Sequence, residues 1–270
     1  MKNIYALCLW LTLALLGGCA TNHVPDRSAD EGHAKTYTLV LLRHGESLWN
    51  KEDRFTGWSD VPLTEKGEAG ALKAGKLLKA EGFAFDQVHT SYLGRAIKTA
   101  WLTLEGMETM WLPVQKDWRL NERHYGALEG KTRKEVTETS GEQQVKIWRR
   151  SFDVPPPPMS HDDLRSPAKD PRYQAVPRQV IPQSESLKDT IARVQPYWQA
   201  ELVPSIRSGK KVLVVAHSTL LRALVANFSR MSEEELQKFE IPNTVPLVFQ
   251  LDENLKPVSY RILGAEKIRK

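Results

Sequence analysis

The feature that most constrains the fold is KVLVVAHS, residues 211–218, in which the apolar run Val212 to Ala216 shows no alternation and ends in His217. A strand with one face in water alternates apolar and polar side chains. An unbroken apolar run therefore marks a strand covered on both faces, as in the centre of a helix-flanked sheet. A second such run, Tyr37 to Leu42, ends in Arg43, His44 and Gly45. In open α/β sheets ligands bind beyond the carboxyl ends of the strands, so two such strands can bring sequence-distant histidines to one rim.

The remaining pattern predicts an α/β fold with a doubly wound, mostly parallel sheet flanked by helices. Thr64 to Lys66 opens a helix with Ala71, Leu72, Gly75 and Leu78 at helical spacing, and FAFDQVHTS is a second strand ending at Ser91. Ala96, Ile97, Ala100, Trp101 and Leu104 predict one apolar helix face, and a third short strand is expected over Leu112 to Gln115. The order β, α, β, α indicates parallel strands with covering helices. Leu187, Ile191, Val194 and Trp198 predict an amphipathic helix opened by Ser184 or Ser186 and bent or ended by Pro196 and Pro204. Ser232 and Glu235 form a capping box, and VPLVFQL is a further strand. Residues 151–183 carry Pro155 to Pro158, Pro167, Pro171, Pro177 and Pro182 with little apolar periodicity. A stiff loop over a binding site is expected there in preference to a polyproline recognition segment.

Ahead of this domain, residues 1–18 read as a signal peptide, with Lys2 before an apolar stretch too short for an ordinary membrane span. Leu16, Gly17, Gly18 and Cys19 resemble the lipobox of bacterial lipoproteins, which implies lipidation of Cys19. Ala20 resembles the outer-membrane sorting pattern, so the expected location is the cell envelope, lipid-anchored on the periplasmic side of the outer membrane. Residues 19–36 are then a flexible tether and residues 37–270 the catalytic domain. The chain's 2 cysteines are Cys8 and Cys19, so the domain itself offers neither thiol catalysis, a cysteine metal site nor a disulfide. A formal net charge of +5 suits a small anionic substrate, while dispersed Lys and Glu give no nucleic-acid signature.

Arginines accompany the histidines. Arg43 precedes His44, Arg95 opens the helix after the second strand, and Arg149 with Arg150 stands before the proline-rich segment. A guanidinium fork grips phosphate or carboxylate at two points. A lone histidine is more often a packed imidazole, but this company favours chemistry. No HExxH or His-x-His spacing occurs, so no metal is expected.

RHGESLWNKEDRFTGWSDVPLTEKG, TSYLGRAIKTA, LNERHYGALEG, VKIWRRSFDVPPPP, DPRY and PLVFQLDENLKP occur in order across residues 37–263. Together they resemble the cofactor-dependent phosphoglycerate mutases of the histidine phosphatase superfamily. RHG alone indicates the superfamily, and LNERHYGAL with WRR and PPP points to the mutase branch. The resemblance implies that His44 is a nucleophile phosphorylated on a ring nitrogen, that Arg43, Arg95 and His217 surround the phosphoryl group, and that Glu122 is the general acid and base. Gly45 would leave room for backbone amides to reach that group. Asn50, Thr56, Gly57, Tyr125, Arg149 and Arg150 match substrate-holding positions, and Arg133 stands where the family usually has lysine.

The implied reaction interconverts 2- and 3-phosphoglycerate, small phosphorylated hydroxy acids, with 2,3-bisphosphoglycerate as primer and no metal. The family is otherwise cytoplasmic, and its dimers and tetramers imply a homodimer. Two departures bear on the site. Ser218 and Thr219 follow His217 where the family reads glycine and asparagine at substrate-contacting positions, and Asn243-Thr244 replaces threonine and glycine. With the leader, they leave two further readings open: an envelope phosphomonoesterase using the same His44, and a catalytically impaired ligand-binding lipoprotein. His23, His33, His89, His124 and His161 are expected to be surface or packing residues.

Overall fold

A computed structural model describes residues 35–264; the leader, Cys19 and nearly all of the tether expected from the sequence lie outside the described residues. Within that range β1 (Tyr37–Arg43) leads through the short α1 (Leu48–Lys51) to α2 (Glu65–Ala80), β2 (Gln87–Thr90), α3 (Gly94–Met107) and β3 (Val114–Lys116). The short helices α4 (Arg133–Ser140) and α5 (Glu142–Arg150) follow. After the proline-rich segment come α6 (Leu187–Tyr197), α7 (Val203–Arg207), β4 (Val212–Ala216), α8 (Ser218–Phe228), α9 (Glu233–Lys238), β5 (Leu247–Leu251) and β6 (Pro257–Ile262).

The strands form one sheet in the order β3-β2-β4-β1-β5-β6. Its first four are parallel, while β5 and β6 are antiparallel additions at one edge. The missing alternation in β1 and β4 now has its cause. Leu39, Leu41, Val212 and Val214 pack with residues of α6 to α8, such as Val194, Tyr197, Ile206 and Leu224. Val40, Leu42, Leu213 and Val215 pack on the opposite face against Ala74, Leu78, Ala100 and Leu104 of α2 and α3. Successive side chains of a strand point to opposite faces, so both sets must be apolar.

The structure departs from the sequence expectation in several places. Trp101 is 48% exposed, with Lys116 Nζ 6.0 Å from its ring centroid, and the buried face of α3 carries Arg95, Thr99 and Thr103 beside the expected Ala96, Ala100 and Leu104. Arg95 is there because the first turn of α3 reaches the site described below. Ser186, not Ser184, caps α6. Pro196 does not end the helix; beyond it Trp198–Leu202 widens into a π turn, in which the Val203 amide donates to the Trp198 carbonyl, and the chain runs on into α7. β6 was not anticipated, since it is an edge strand with alternating, partly exposed residues and no apolar run.

Residues 151–183 are ordered by contacts rather than by periodicity. Tyr173 stacks on Trp58 at 5.1 Å and its hydroxyl accepts from Asn121 Nδ2 at 2.8 Å. Arg165 Nη1 donates to the Glu129 carbonyl at 2.8 Å, and the Met159 amide to the Gln183 carbonyl at 2.9 Å.

Candidate active site

β1 and β4 are neighbours with Arg43 opposite Ala216, so His44 and His217 leave the sheet side by side. The ladder extends one step further, the His44 amide donating to the Ala216 carbonyl at 2.9 Å. The imidazole centroids are 5.0 Å apart, and the residues are 3% and 0% exposed.

His44 Nδ1 lies 2.6 Å from the Gly45 carbonyl. A carbonyl only accepts, so this nitrogen carries the proton and Nε2 keeps its lone pair. Arg95 Nε faces that lone pair at 3.4 Å. Burial pushes His44 well below the ordinary imidazole range, and Arg95 and Arg43 push the same way against the Gly45 hydrogen bond. His217 is lowered in like manner by burial, Arg95, His44, Arg43 and Arg193. Both rings are therefore neutral at pH 7, and His44 Nε2 is an unprotonated nucleophile. His217 Nε2 meets Ser91 Oγ at 2.8 Å, while its buried Nδ1 has no partner.

Arg95 is almost wholly buried, its two terminal nitrogens donating to the carbonyls of Ser59 at 2.9 Å and Gly57 at 2.8 Å. Burial draws it down to about 10, opposed by Glu122. Gly57 has φ 53°, and a Cβ there would meet the Glu129 carboxylate at 1.9 Å, so the turn presenting its carbonyl requires glycine. Gly45 plays a different part from the one expected. Its amide donates to Thr99 Oγ1 at 3.0 Å, and a Cβ would lie 2.3 Å from the Gly67 carbonyl; this glycine admits the start of α2 instead of leaving amides free for a ligand.

Glu122 Oε1 accepts from the amides of Arg123 at 2.8 Å and of Thr219 and Leu220 at 3.2 Å each, capping the first turn of α8. The carbonyl of Glu122 accepts from Trp58 Nε1 at 2.6 Å and Arg193 Nη2 at 3.1 Å. Arg193 also donates to the carbonyls of Arg119 and Asn121, and it is bound by Glu185 at 2.6 and 2.9 Å. This buried clamp escaped sequence reasoning, since a contact between α6 and a loop far upstream leaves no local pattern.

A cavity of about 160 Å³ collects the predicted residues: Arg43, His44, Arg95 and Glu122 toward the sheet, with Asn50, Thr56, Gly57 and Tyr125. Arg133, Arg149 and Arg150 line it too, as do Ser218 and Thr219. His217 does not line it and lies beside His44. No residue of 151–183 lines it either, so the proline-rich segment braces the Trp58 region and is not a cover over the site. Arg54, Phe55, Arg222 and Glu240 were not anticipated. Arg222 had a legible signal, a lone charge between Leu221 and Ala223 in an apolar helix.

Among the described residues, the charges of the cavity do not balance. Arg54, Arg133 and Arg150 pair with Glu52, Asp53 and Glu240 at the partly exposed mouth. Among the described residues, Arg43, Arg95, Arg149 and Arg222 form no ion pair. The buried Arg43 Nε, Arg222 Nε and Thr56 Oγ1 lack any hydrogen-bond partner. Buried donors left unpaired are costly, and an anion is the kind of ligand that suits a cavity lined by them. The second departure braces the nucleophile: Asn243 Nδ2 donates to the His44 carbonyl at 2.6 Å, and Thr244 donates its amide to the Arg43 carbonyl at φ 55°, a strained angle for a β-branched residue.

The family model of the histidine phosphatase superfamily (branch 1) matches residues 39–169 and 160–259. Among solved structures, a mycobacterial glucosyl-3-phosphoglycerate phosphatase is 24% identical with TM-score 0.65, over 84% of this chain and 97% of that one. An alpha-ribazole phosphatase from Shigella flexneri is 24% identical with TM-score 0.62, over 86% and 98%. A phosphoglycerate mutase from Bacillus anthracis is 24% identical with TM-score 0.61, over 85% and 92%. These likenesses show a common fold.

Proposed function

Because the chain belongs to the histidine phosphatase superfamily, we propose that it transfers phosphoryl groups through a phosphohistidine at His44, interconverting 2- and 3-phosphoglycerate. The carrying observation is a neutral, aimed imidazole in a cavity lined by Arg43, Arg95, Arg149 and Arg222, which form no ion pair among the described residues. Such a site favours a ligand with two anionic groups, one at His44 and one at the far end of the cavity.

In the first half-reaction His44 Nε2 attacks phosphorus; the N–P bond forms, the ester P–O bond breaks, and the leaving oxygen takes a proton from Glu122. In the second, the free hydroxyl of a bound monophosphoglycerate attacks the phosphohistidine: its proton passes to Glu122, the N–P bond breaks and a second ester O–P bond forms, and the first step repeated at the other phosphate releases the isomer. Glu122 suits the shuttle because Oε1 is fixed by three amides, whereas Oε2 has only the Thr219 amide at 3.4 Å. Arg95 Nε and Arg43 offset charge on the transferring group, which is most of what phosphoryl transfer asks of a protein. Arg149 and Arg150 would hold the distal phosphate or carboxylate. When bound, 2,3-bisphosphoglycerate supplies the phosphoryl group that loads His44.

A second reading, phosphomonoester hydrolysis, shares the first half-reaction, with water as the final acceptor. It is supported by the proline-rich segment lying away from the cavity, so that residues 151–183 do not exclude water from it. The two are separated by giving the protein 3-phosphoglycerate with and without 2,3-bisphosphoglycerate and measuring 2-phosphoglycerate and free phosphate. Isomer without phosphate supports the mutase, and phosphate without isomer the hydrolase. His44→Ala is expected to lose the acid-labile phosphoenzyme and on the order of 10⁴-fold or more of the rate; persistent labelling would refute the nucleophile.

A further inference from the structure

Arg222 stands on α8, one turn beyond Thr219, and lines the cavity while only 7% exposed. Its Nη2 donates to Thr219 Oγ1 at 3.1 Å and its Nη1 to the Gln237 carbonyl at 3.2 Å, while Nε is buried without a partner. The same Gln237 carbonyl accepts from Arg150 Nη1, also at 3.2 Å. One oxygen thus holds two guanidinium groups as neighbours, and the single carboxylate bound to this pair, Glu240 on Arg150, is 67% exposed at its side chain. Two like charges so placed repel unless an anion joins them. Arg150 closes α5 and lines the outer end of the cavity with Arg133 and Arg149, so Arg222, held on the same carbonyl, belongs to that end.

We propose that Arg222, oriented by the Thr219 hydroxyl and the Gln237 carbonyl, binds the carboxylate of a phosphorylated hydroxy acid and selects such acids over phosphate esters without one. The proposal rests on the phosphoryl-transfer reading of the same cavity. It also assigns a task to Thr219. A threonine hydroxyl is too short to replace an amide reaching into the cavity, but it is positioned one helical turn before Arg222 to accept from it. Thr219 is thus a positioning residue, and the specificity it confers passes through the guanidinium.

The test is calorimetric binding of 3-phosphoglycerate and of glycerol 3-phosphate, which differ in the carboxylate, to the full chain and to Arg222→Met, Arg222→Lys and Thr219→Val. The unsubstituted protein is expected to bind the acid more tightly. Arg222→Met should weaken the acid by about 30-fold or more, the scale for removing one partner of a buried charge pair, and glycerol 3-phosphate by at most about threefold. Arg222→Lys should recover part of the preference, having the charge without the fork. Thr219→Val, which removes only a hydroxyl, should weaken the acid about tenfold and serves if Arg222→Met does not fold. Equal losses on both ligands, an undiminished preference, or no preference in the unsubstituted protein would overturn the proposal. Failure of the phosphohistidine reading appears separately, as unlabelled His44 with these dissociation constants intact.

Discussion

The two ends of the cavity are built differently. At the inner end, His44 and His217 continue adjacent strands, and Arg95 is fixed by the backbone carbonyls of Gly57 and Ser59. At the outer end, Arg133, Arg149 and Arg150 project from α4 and α5, outside the sheet, and two of the three pair with exposed acids. Rigid backbone holds the groups that would react, and side chains on an added segment hold the groups that would recognise. The contrast explains how one architecture can keep a reaction while changing its substrate, since the outer end can be rewritten without disturbing the strands.

The contrast is broken most severely at the clamp beneath Glu122. Arg193 and Glu185 are 6% and 3% exposed at their side chains, and Arg193→Met strands a buried carboxylate, for an expected loss of about 3–5 kcal/mol in urea unfolding. Glu185→Gln added to that variant should restore part of the stability but not the turnover number, because the Glu122 carbonyl keeps Trp58 as its one donor and stays without Arg193. Were turnover restored as well, the clamp would be a stability device and not a positioning one.

A medium effect follows from the neutral histidines. Their pKa values are depressed in the folded state, so the unfolded chain takes up protons first as pH falls through about 6.5, and acid favours unfolding. Stability should hold above that pH and decline below it by up to ~1.4 kcal/mol per pH unit for each such group. His89, lowered to about 4 chiefly by burial, adds to the slope over a narrower window. Urea titrations at pH 7, 6 and 5 should show a shallower decline for His44→Gln, and an unchanged slope would mean that His44 binds its proton equally well folded and unfolded.

The smallest effect belongs to the outer rim. Arg133 and Asp53 are 44% and 56% exposed at their side chains, and exposed pairs contribute little. Asp53→Asn should change stability by less than about 1 kcal/mol and the KM for 3-phosphoglycerate by under about threefold. A larger change in KM would move Arg133 into the recognising group and sharpen the division between the ends.

Much of the inner end was legible in the sequence, because a parallel strand records double-sided burial in its own composition and the residues at its tip follow directly. β1, β4 and the rim shared by His44 and His217 came from that record. What lay across the fold was not legible. The Arg193 clamp joins α6 to a loop far upstream, the shared Gln237 carbonyl joins α5 to α8, and the proline-rich segment found its place through Tyr173 on Trp58. Trp101 was misplaced for a related reason: its hydrophobicity suggested burial, while the buried face of α3 is shared by Ala96, Ala100 and Leu104 with Thr99, which serves Gly45. Gly45 was found for the wrong reason, as a window for a ligand when it is a seat for a helix.

The separation of the two imidazoles, 5.0 Å between centroids, is close to the spacing of about 4.8 Å at which hydrogen bonding sets neighbouring strands apart. The amide ladder thus sets the two residues side by side in every copy, and the Gly45 carbonyl and the Ser91 hydroxyl fix the turn of each ring. A lineage could exchange whole loops around this pair and inherit the same gap each time.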